Sequence, residues 1–171
     1  MTARVVRGHS RFTVGCGPVH GKGDEYAFPG PRFPQADQLS KQRVLLADDH
    51  PSVPEMVATL LQPTFEVVGT VGDGKALLEA AARLEPDVIL TDISMPILNG
   101  IEAANQLGES SCKSKIVFLT VHTDPDFITA CLATRALGYV VKSHMATDLL
   151  PAIQAALAGR VFVSPSLRYT N

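Results

Sequence analysis

Three carboxylates, a hydroxyl and an ammonium stand at corresponding places along this chain: Asp48, Asp49, Asp92, Thr120 and Lys142. Each follows a short apolar run. Val44-Leu45-Leu46-Ala47 precedes Asp48-Asp49, Val88-Ile89-Leu90 leads to Asp92, Ile116-Val117-Phe118-Leu119 to Thr120, and Tyr139-Val140-Val141 to Lys142. Apolar runs without alternation are expected of parallel strands buried on both faces, and open α/β sheets bind their ligands beyond the carboxyl ends of such strands. On the stretch Pro86–Gly100 alone, a turn-capping Asp92 and an active carboxylate are equally good readings. Capping is a poor account of all five residues together, and it hardly applies to Lys142.

Gathered in one pocket, three carboxylates repel. Two unit charges at ~4 Å cost about 4 kcal/mol at an effective dielectric of 20. Protons or a cation must relieve that, and hard oxygen donors with room for water suit Mg2+, which is commonly held by one or two carboxylates together with phosphate oxygens. A phosphoryl group on Asp92 gives every other residue a use. The cation bridges carboxylate and phosphoryl oxygens, Lys142 pairs with a further oxygen, and Thr120 donates a hydrogen bond. Carboxylate nucleophiles that form aspartyl-phosphates are an established class.

Elements that could position these groups are legible in the periodicity. From Arg43 onward, five apolar strands (44–47, 65–69, 87–91, 115–120 and 138–141) alternate with five helices. The stripes Val53/Val57/Leu60/Leu61, Leu77/Ala80/Ala81/Leu84, Ile101/Ala104/Leu107, Phe127/Ile128/Cys131/Leu132 and Leu150/Ile153/Leu157 follow helical spacing. Pro51 opens the first helix, Thr147 is expected to cap the last, and Gly159 to stop it. Strict alternation predicts an α/β fold with a five-stranded parallel doubly wound sheet, and the order 2-1-3-4-5 is the flavodoxin-like solution. In that order the first and third strands are neighbours, so Asp48, Asp49 and Asp92 share one rim.

Residues 1–42 differ from the rest. Glycines and prolines interrupt every period there, and the segment carries +3 against -5 for residues 43–171. It reads as a flexible Gly/Pro-rich extension from which Phe28 and Phe33 are expected to pack locally on the domain, followed by one domain over 43–160 and the start of a linker over 161–171. The whole chain of 171 residues, with a net charge of -2 and 46% hydrophobic residues, is expected to be globular. The charge gives no reason to expect nucleic-acid binding by this chain. No apolar run reaches membrane-spanning length and no secretory signal is evident. Cys16, Cys112 and Cys131 are odd in number and far apart, which argues for reduced thiols in a cytoplasmic protein.

The motifs Leu-Ala-Asp-Asp-His-Pro (46–51), Asp-Ile-Ser-Met-Pro-Ile-Leu-Asn-Gly (92–100), Phe-Leu-Thr (118–120) and Gly-Tyr-Val-Val-Lys-Ser (138–143) resemble the receiver domain of two-component response regulators. The Asp-Asp-His-Pro form and the ending Ala-Gly-Arg-Val-Phe-Val-Ser-Pro (158–165) are most similar to the LuxR-type subfamily. The resemblance covers about residues 43–165. It implies that Asp92 is the phosphoacceptor for a sensor histidine kinase, and that Asp49, Asp92 and the backbone carbonyl of Ser94 bind Mg2+, with Asp48 acting through water. Thr120 and Lys142 would contact the phosphoryl group, and Tyr139, a partly buried strand residue, would report the switch by its rotamer. Homodimerisation on phosphorylation is the expected response. Two positions depart from the family pattern: Arg135 replaces a small residue, and Val121 replaces Ala and is expected to restrict access to the phosphoryl group. His50 and His122 are read as plain loop residues because no further His or Cys ligand accompanies them.

No helix-turn-helix module precedes Asn171, so the expected reading is a receiver whose output, transcription, lies outside this chain. The alternative is a stand-alone receiver acting by protein contact. A phosphatase of the haloacid-dehalogenase type wants a second Asp where Ser94 stands, and an FMN-binding protein would meet Asp48-Asp49 where its phosphate loop belongs; no enzyme activity is expected.

Overall fold

The computed structural model describes residues 41–167. The extension inferred for residues 1–42, with Phe28, Phe33 and Cys16, lies outside the described residues except for Lys41 and Gln42.

β1 (Gln42–Ala47), β2 (Phe65–Val71), β3 (Val88–Thr91), β4 (Lys115–Thr120) and β5 (Gly138–Val141) alternate with α1 (Ser52–Leu61), α2 (Gly74–Leu84), α3 (Gly100–Glu109), α4 (Pro125–Ala133) and α5 (Met145–Leu157). All strand pairs are parallel, and the order is β2-β1-β3-β4-β5 with a sixth strand, β6 (Phe162–Val163), outside β5. The flavodoxin-like order holds, extended by one short strand.

Two-residue alternation divides the core between the sheet faces. Val44, Leu46, Val88, Leu90, Val117, Leu119 and Val140 meet α1 and α5. Leu45, Ala47, Ile89, Phe118 and Tyr139 face the other way, against α2, α3 and Cys131 of α4. Every one of these strand residues is fully buried. The predicted stripes of α1, α2, α3 and α5 point inward with small shifts, whereas that of α4 does not. In α5 the deepest positions are Leu149, Ala152, Ile153 and Ala156, while Leu150 and Leu157 are half-buried. In α4 only Cys131 is buried, and Phe127 and Leu132 are 38% and 40% exposed.

The expected cap of the last helix is displaced. A single 3-10 turn, Lys142–His144, runs directly into α5, so Thr147 lies inside the helix and its Oγ1 donates to the His144 carbonyl at 3.0 Å. Gly159 ends the helix as expected, with φ +71°.

β6 is held by a buried polar cluster. Ser164, fully buried, donates from Oγ to Asp148 Oδ2 at 2.6 Å and accepts from Val141 N at 3.1 Å, while Ser164 N donates to the Tyr139 carbonyl at 2.9 Å. Thr147 Oγ1 lies 2.8 Å from the other Asp148 oxygen, its one proton shared between that oxygen and the His144 carbonyl. The segment leaving the domain is thereby joined to both α5 and the end of β5.

Candidate functional site

The sheet ladder continues one residue past the strand ends. Asp48 N donates to Val71 O at 2.9 Å and Asp92 N to Ala47 O at 2.8 Å, which fixes the backbones of both aspartates on neighbouring strands. Their side chains are nearly free of solvent, Asp48 at 0% and Asp92 at 3%.

Asp92 is held by both oxygens. Oδ1 accepts from Ile93 N at 2.7 Å and Oδ2 from Lys142 Nζ at 2.9 Å. Lys142 stands at the start of the 3-10 turn after β5, and its Nζ also lies 2.7 Å from Asp48 Oδ2. That second approach is too oblique for a hydrogen bond, so Asp48 Oδ2 remains a buried oxygen with a charge contact but no hydrogen bond among the described residues. Burial works against the Lys142 ammonium, but the carboxylates of Asp48 and Asp92 beside it outweigh burial and raise the pKa above the ordinary lysine value.

The loop from Asp92 to Gly100 is closed on itself. Gly100 N donates to Ile93 O at 2.9 Å, Leu98 N to Pro96 O at 2.7 Å, and Gly74 N to Leu98 O at 3.1 Å. A Cβ on Gly100 would overlap the carbonyl oxygen of Asp92, so only glycine fits there. Asn99 caps α3 reciprocally with Glu102. Ile97, at the turn, adopts φ +67° and is 80% exposed.

Asp49 lies at the mouth, 36% exposed, with His50 Nδ1 3.0 Å from its Oδ1. One ligand atom each from Asp48, Asp49, His50 and Asp92 fall within 4.8 Å of one another. The expected carboxylates therefore assemble, and His50, read from sequence as a plain loop residue, joins them. Hard oxygens, one of them buried without a hydrogen bond, are a donor set that fits Mg2+.

The remaining residues are joined through His122, the second position sequence reading passed over. His122 N donates to Thr120 Oγ1 at 3.1 Å, and its Nε2 and Ser94 Oγ share a 2.7 Å hydrogen bond. Its ring stacks on Phe127 with centroids 4.3 Å apart. Its carbonyl accepts from Tyr139 OH at 2.8 Å. Tyr139 is fully buried rather than partly exposed. Burial pushes its phenol above the ordinary range, the charges of Cys131, Asp124 and Asp92 act in the same direction, and a hydrogen bond with the neighbouring Thr120 hydroxyl opposes them. Thr120 is fully buried, and Val121, the residue after it, is 66% exposed. Arg135 is exposed, its stem lying beside Gly108 of α3. Position alone was the available signal: His50 adjoins the Asp pair, and His122 sits two residues beyond the strand-end Thr.

Residues 44–154 match the family model described as the response regulator receiver domain. The chain belongs to that family. This receiver is 36% identical over 126 residues to the nitrate/nitrite response regulator NarL of Escherichia coli K12, covering 72% of this chain and 58% of that protein. It is 40% identical over 119 residues to the transcriptional regulatory protein LiaR of Bacillus subtilis, covering 68% and 56%. The receiver chain thus spans little more than half the length of these relatives. Among solved structures, a LuxR-family two-component response regulator from Aurantimonas sp. SI85-9A1 superposes with a TM-score of 0.71 at 32% identity, over 75% of this chain and 94% of that one. The isolated receiver of RcsB from Salmonella enterica serovar Typhimurium, solved with the phosphomimetic BeF3-, gives 0.69 at 30% identity, over 75% and 96%. The receiver is thus of the LuxR/NarL kind, and membership implies a two-component phosphorelay. No helix among the described residues is long and apolar enough to cross a membrane.

Proposed function

We propose that Asp92 accepts a phosphoryl group from the phosphohistidine of a sensor histidine kinase. The N–P bond of the donor breaks as a bond forms from a carboxylate oxygen of Asp92 to phosphorus, and the imidazole leaves with the electron pair of the broken bond. The observation that carries this reading is the position of Asp92: buried, gripped by Ile93 N and Lys142 Nζ, and facing two further carboxylates. Lys142 orients the nucleophile and then meets phosphoryl oxygens. Thr120, whose Oγ1 accepts from His122 N, offers its hydroxyl proton to a phosphoryl oxygen once it turns away from Tyr139. Asp48, Asp49, Asp92 and the Ser94 carbonyl would hold Mg2+, whose chemistry is to neutralise charge shared by carboxylate and phosphoryl oxygens.

As Thr120 turns toward the phosphoryl group, the Thr120–His122–Tyr139 connection has to rearrange, shifting the population of the α4–β5–α5 face. Homodimerisation through that face or through α1 and α5 is the expected readout. Output through transcription rests on the relatives named as transcriptional regulators. A stand-alone receiver acting by contact is the second reading.

Incubating the chain with acetyl phosphate tests the proposal. A single phosphoryl mass gain that requires Mg2+ and is lost in acid or hydroxylamine is expected. An acid-stable gain, or none, would contradict it. Sedimentation with and without beryllofluoride tests the dimer, and identical mass in both conditions counts against it.

A further inference from the structure

We propose that His50 is a ligand of the cation site, adding an imidazole nitrogen that favours borderline divalent ions such as Co2+ over Mg2+. This rests on the reading that Asp48, Asp49 and Asp92 hold a cation. His50 is placed by its backbone: its N donates to Asp48 Oδ1 at 2.9 Å, and its carbonyl accepts from Val53 N at 3.2 Å as α1 begins. The ring therefore lies over the carboxylates, with Nδ1 3.0 Å from Asp49 Oδ1 and 3.7 Å from Asp48 Oδ1. Adjacent ligands around a six-coordinate ion with bonds of roughly 2.1 Å stand roughly 3.0 Å apart and opposite ones roughly 4.2 Å. The separations here, none above 4.8 Å across the four residues, match such a shell with little closing movement. The buried Asp48 Oδ2 takes no hydrogen bond, and its charge partner, Lys142 Nζ, is shared with Asp92, so one ammonium faces two buried carboxylates; this is the independent sign that the pocket has negative charge left over for a cation.

The ion follows from the donors. Mg2+ keeps its waters and takes oxygen, whereas affinity for imidazole rises from Mn2+ through Co2+ and Ni2+. The nitrogen of His50 thus adds to Co2+ binding and leaves Mg2+ unchanged. A ring that only steers Asp49 would serve both ions alike.

Calorimetric titration of the full chain with Mg2+ and with Co2+, at a pH of about 8 where imidazole is ordinarily neutral, separates these roles. For His50→Gln the Co2+ affinity is expected to fall about tenfold, the scale of losing one coordinating contact, with Mg2+ affinity unchanged. The Co2+ visible spectrum of the wild type should also shift relative to the variant, as oxygen replaces nitrogen. Equal weakening of both ions, or no change in either, overturns the proposal and leaves the carboxylate site standing. If Asp49→Asn binds both ions as tightly as wild type, the carboxylate site itself is wrong and the proposal falls with it. His50 is largely exposed, so its replacement leaves the core intact.

Discussion

Lys142 Nζ lies 2.9 Å from Asp92 Oδ2 in a space that almost no solvent reaches, so the ends of β3 and β5 are tied by a buried charge contact. The same ammonium faces Asp48 at 2.7 Å. One cation thus partly offsets two buried anions, and its removal leaves both exposed to each other.

Lys142→Met is therefore expected to lose about 3 kcal/mol of stability, the scale found when one partner of a buried pair is removed. Millimolar Mg2+ should restore more stability to this variant than it gives the wild type, because the metal then has no competing ammonium. Urea unfolding of both proteins with and without Mg2+ measures this. Equal Mg2+ stabilisation would show that ammonium and metal act in separate places.

Three buried groups titrate late. Burial pushes the Cys131 thiol up to about 12, raises the Tyr139 phenol, and, against the contacts from its carboxylate partners, fails to stop the Lys142 pKa rising. Each folded pKa exceeds its unfolded value, so each contribution is whole below the unfolded pKa and is lost as pH rises through the folded one. Stability should hold to about pH 8.5 and then fall steadily toward 12, beginning with the range between the ordinary thiol pKa and that of Cys131. Cys131→Ala should flatten the first part of that fall. A pH profile identical to wild type would remove the thiol from the account.

Ser164→Ala strips the buried Asp148 Oδ2 and Val141 N of their shared partner. A cost of about 1–3 kcal/mol is expected. Amide exchange should quicken at Phe162 and Ser164, whose N–H groups bond to Leu137 and Tyr139. Unchanged exchange at both would mean that backbone pairing alone holds β6.

Ile97 offers the opposite sign. A β-branched residue at φ +67° is strained, by roughly 1–2 kcal/mol, and with its side chain 80% exposed there is little burial to offset that. Asn tolerates this conformation, so Ile97→Asn should raise stability by about 0.5–1 kcal/mol in the same unfolding assay. A loss would indicate that the Ile97 side chain makes a contact worth more than the strain.

The candidate site was legible to the extent that Asp48, Asp49, Asp92, Thr120 and Lys142 stand where an apolar run stops, and parallel topology turns those stops into one rim. Asp48, Asp92 and Lys142 needed nothing beyond that rule. β6 was not legible: two residues carry no period, and what holds them is Asp148, which in sequence is only an acidic residue on a helix. Thr147 was misplaced as a cap because a 3-10 turn after Lys142 supplies the helix entry without one. His50 and His122 passed as loop residues since their partners come from other segments: Asp48 and Asp49 through a turn, and Ser94, Phe127 and Tyr139 through the fold.

Mapping the phosphoryl group tests the central claim most directly. Wild type, Asp92→Asn and Asp48→Asn are incubated with a phosphorylated histidine kinase and Mg2+, and intact mass is followed with time. Wild type should gain one acid-labile phosphoryl group, Asp92→Asn none, and Asp48→Asn should gain it slowly. An equal gain in Asp92→Asn would contradict the account, because the phosphoryl group would then rest on another residue.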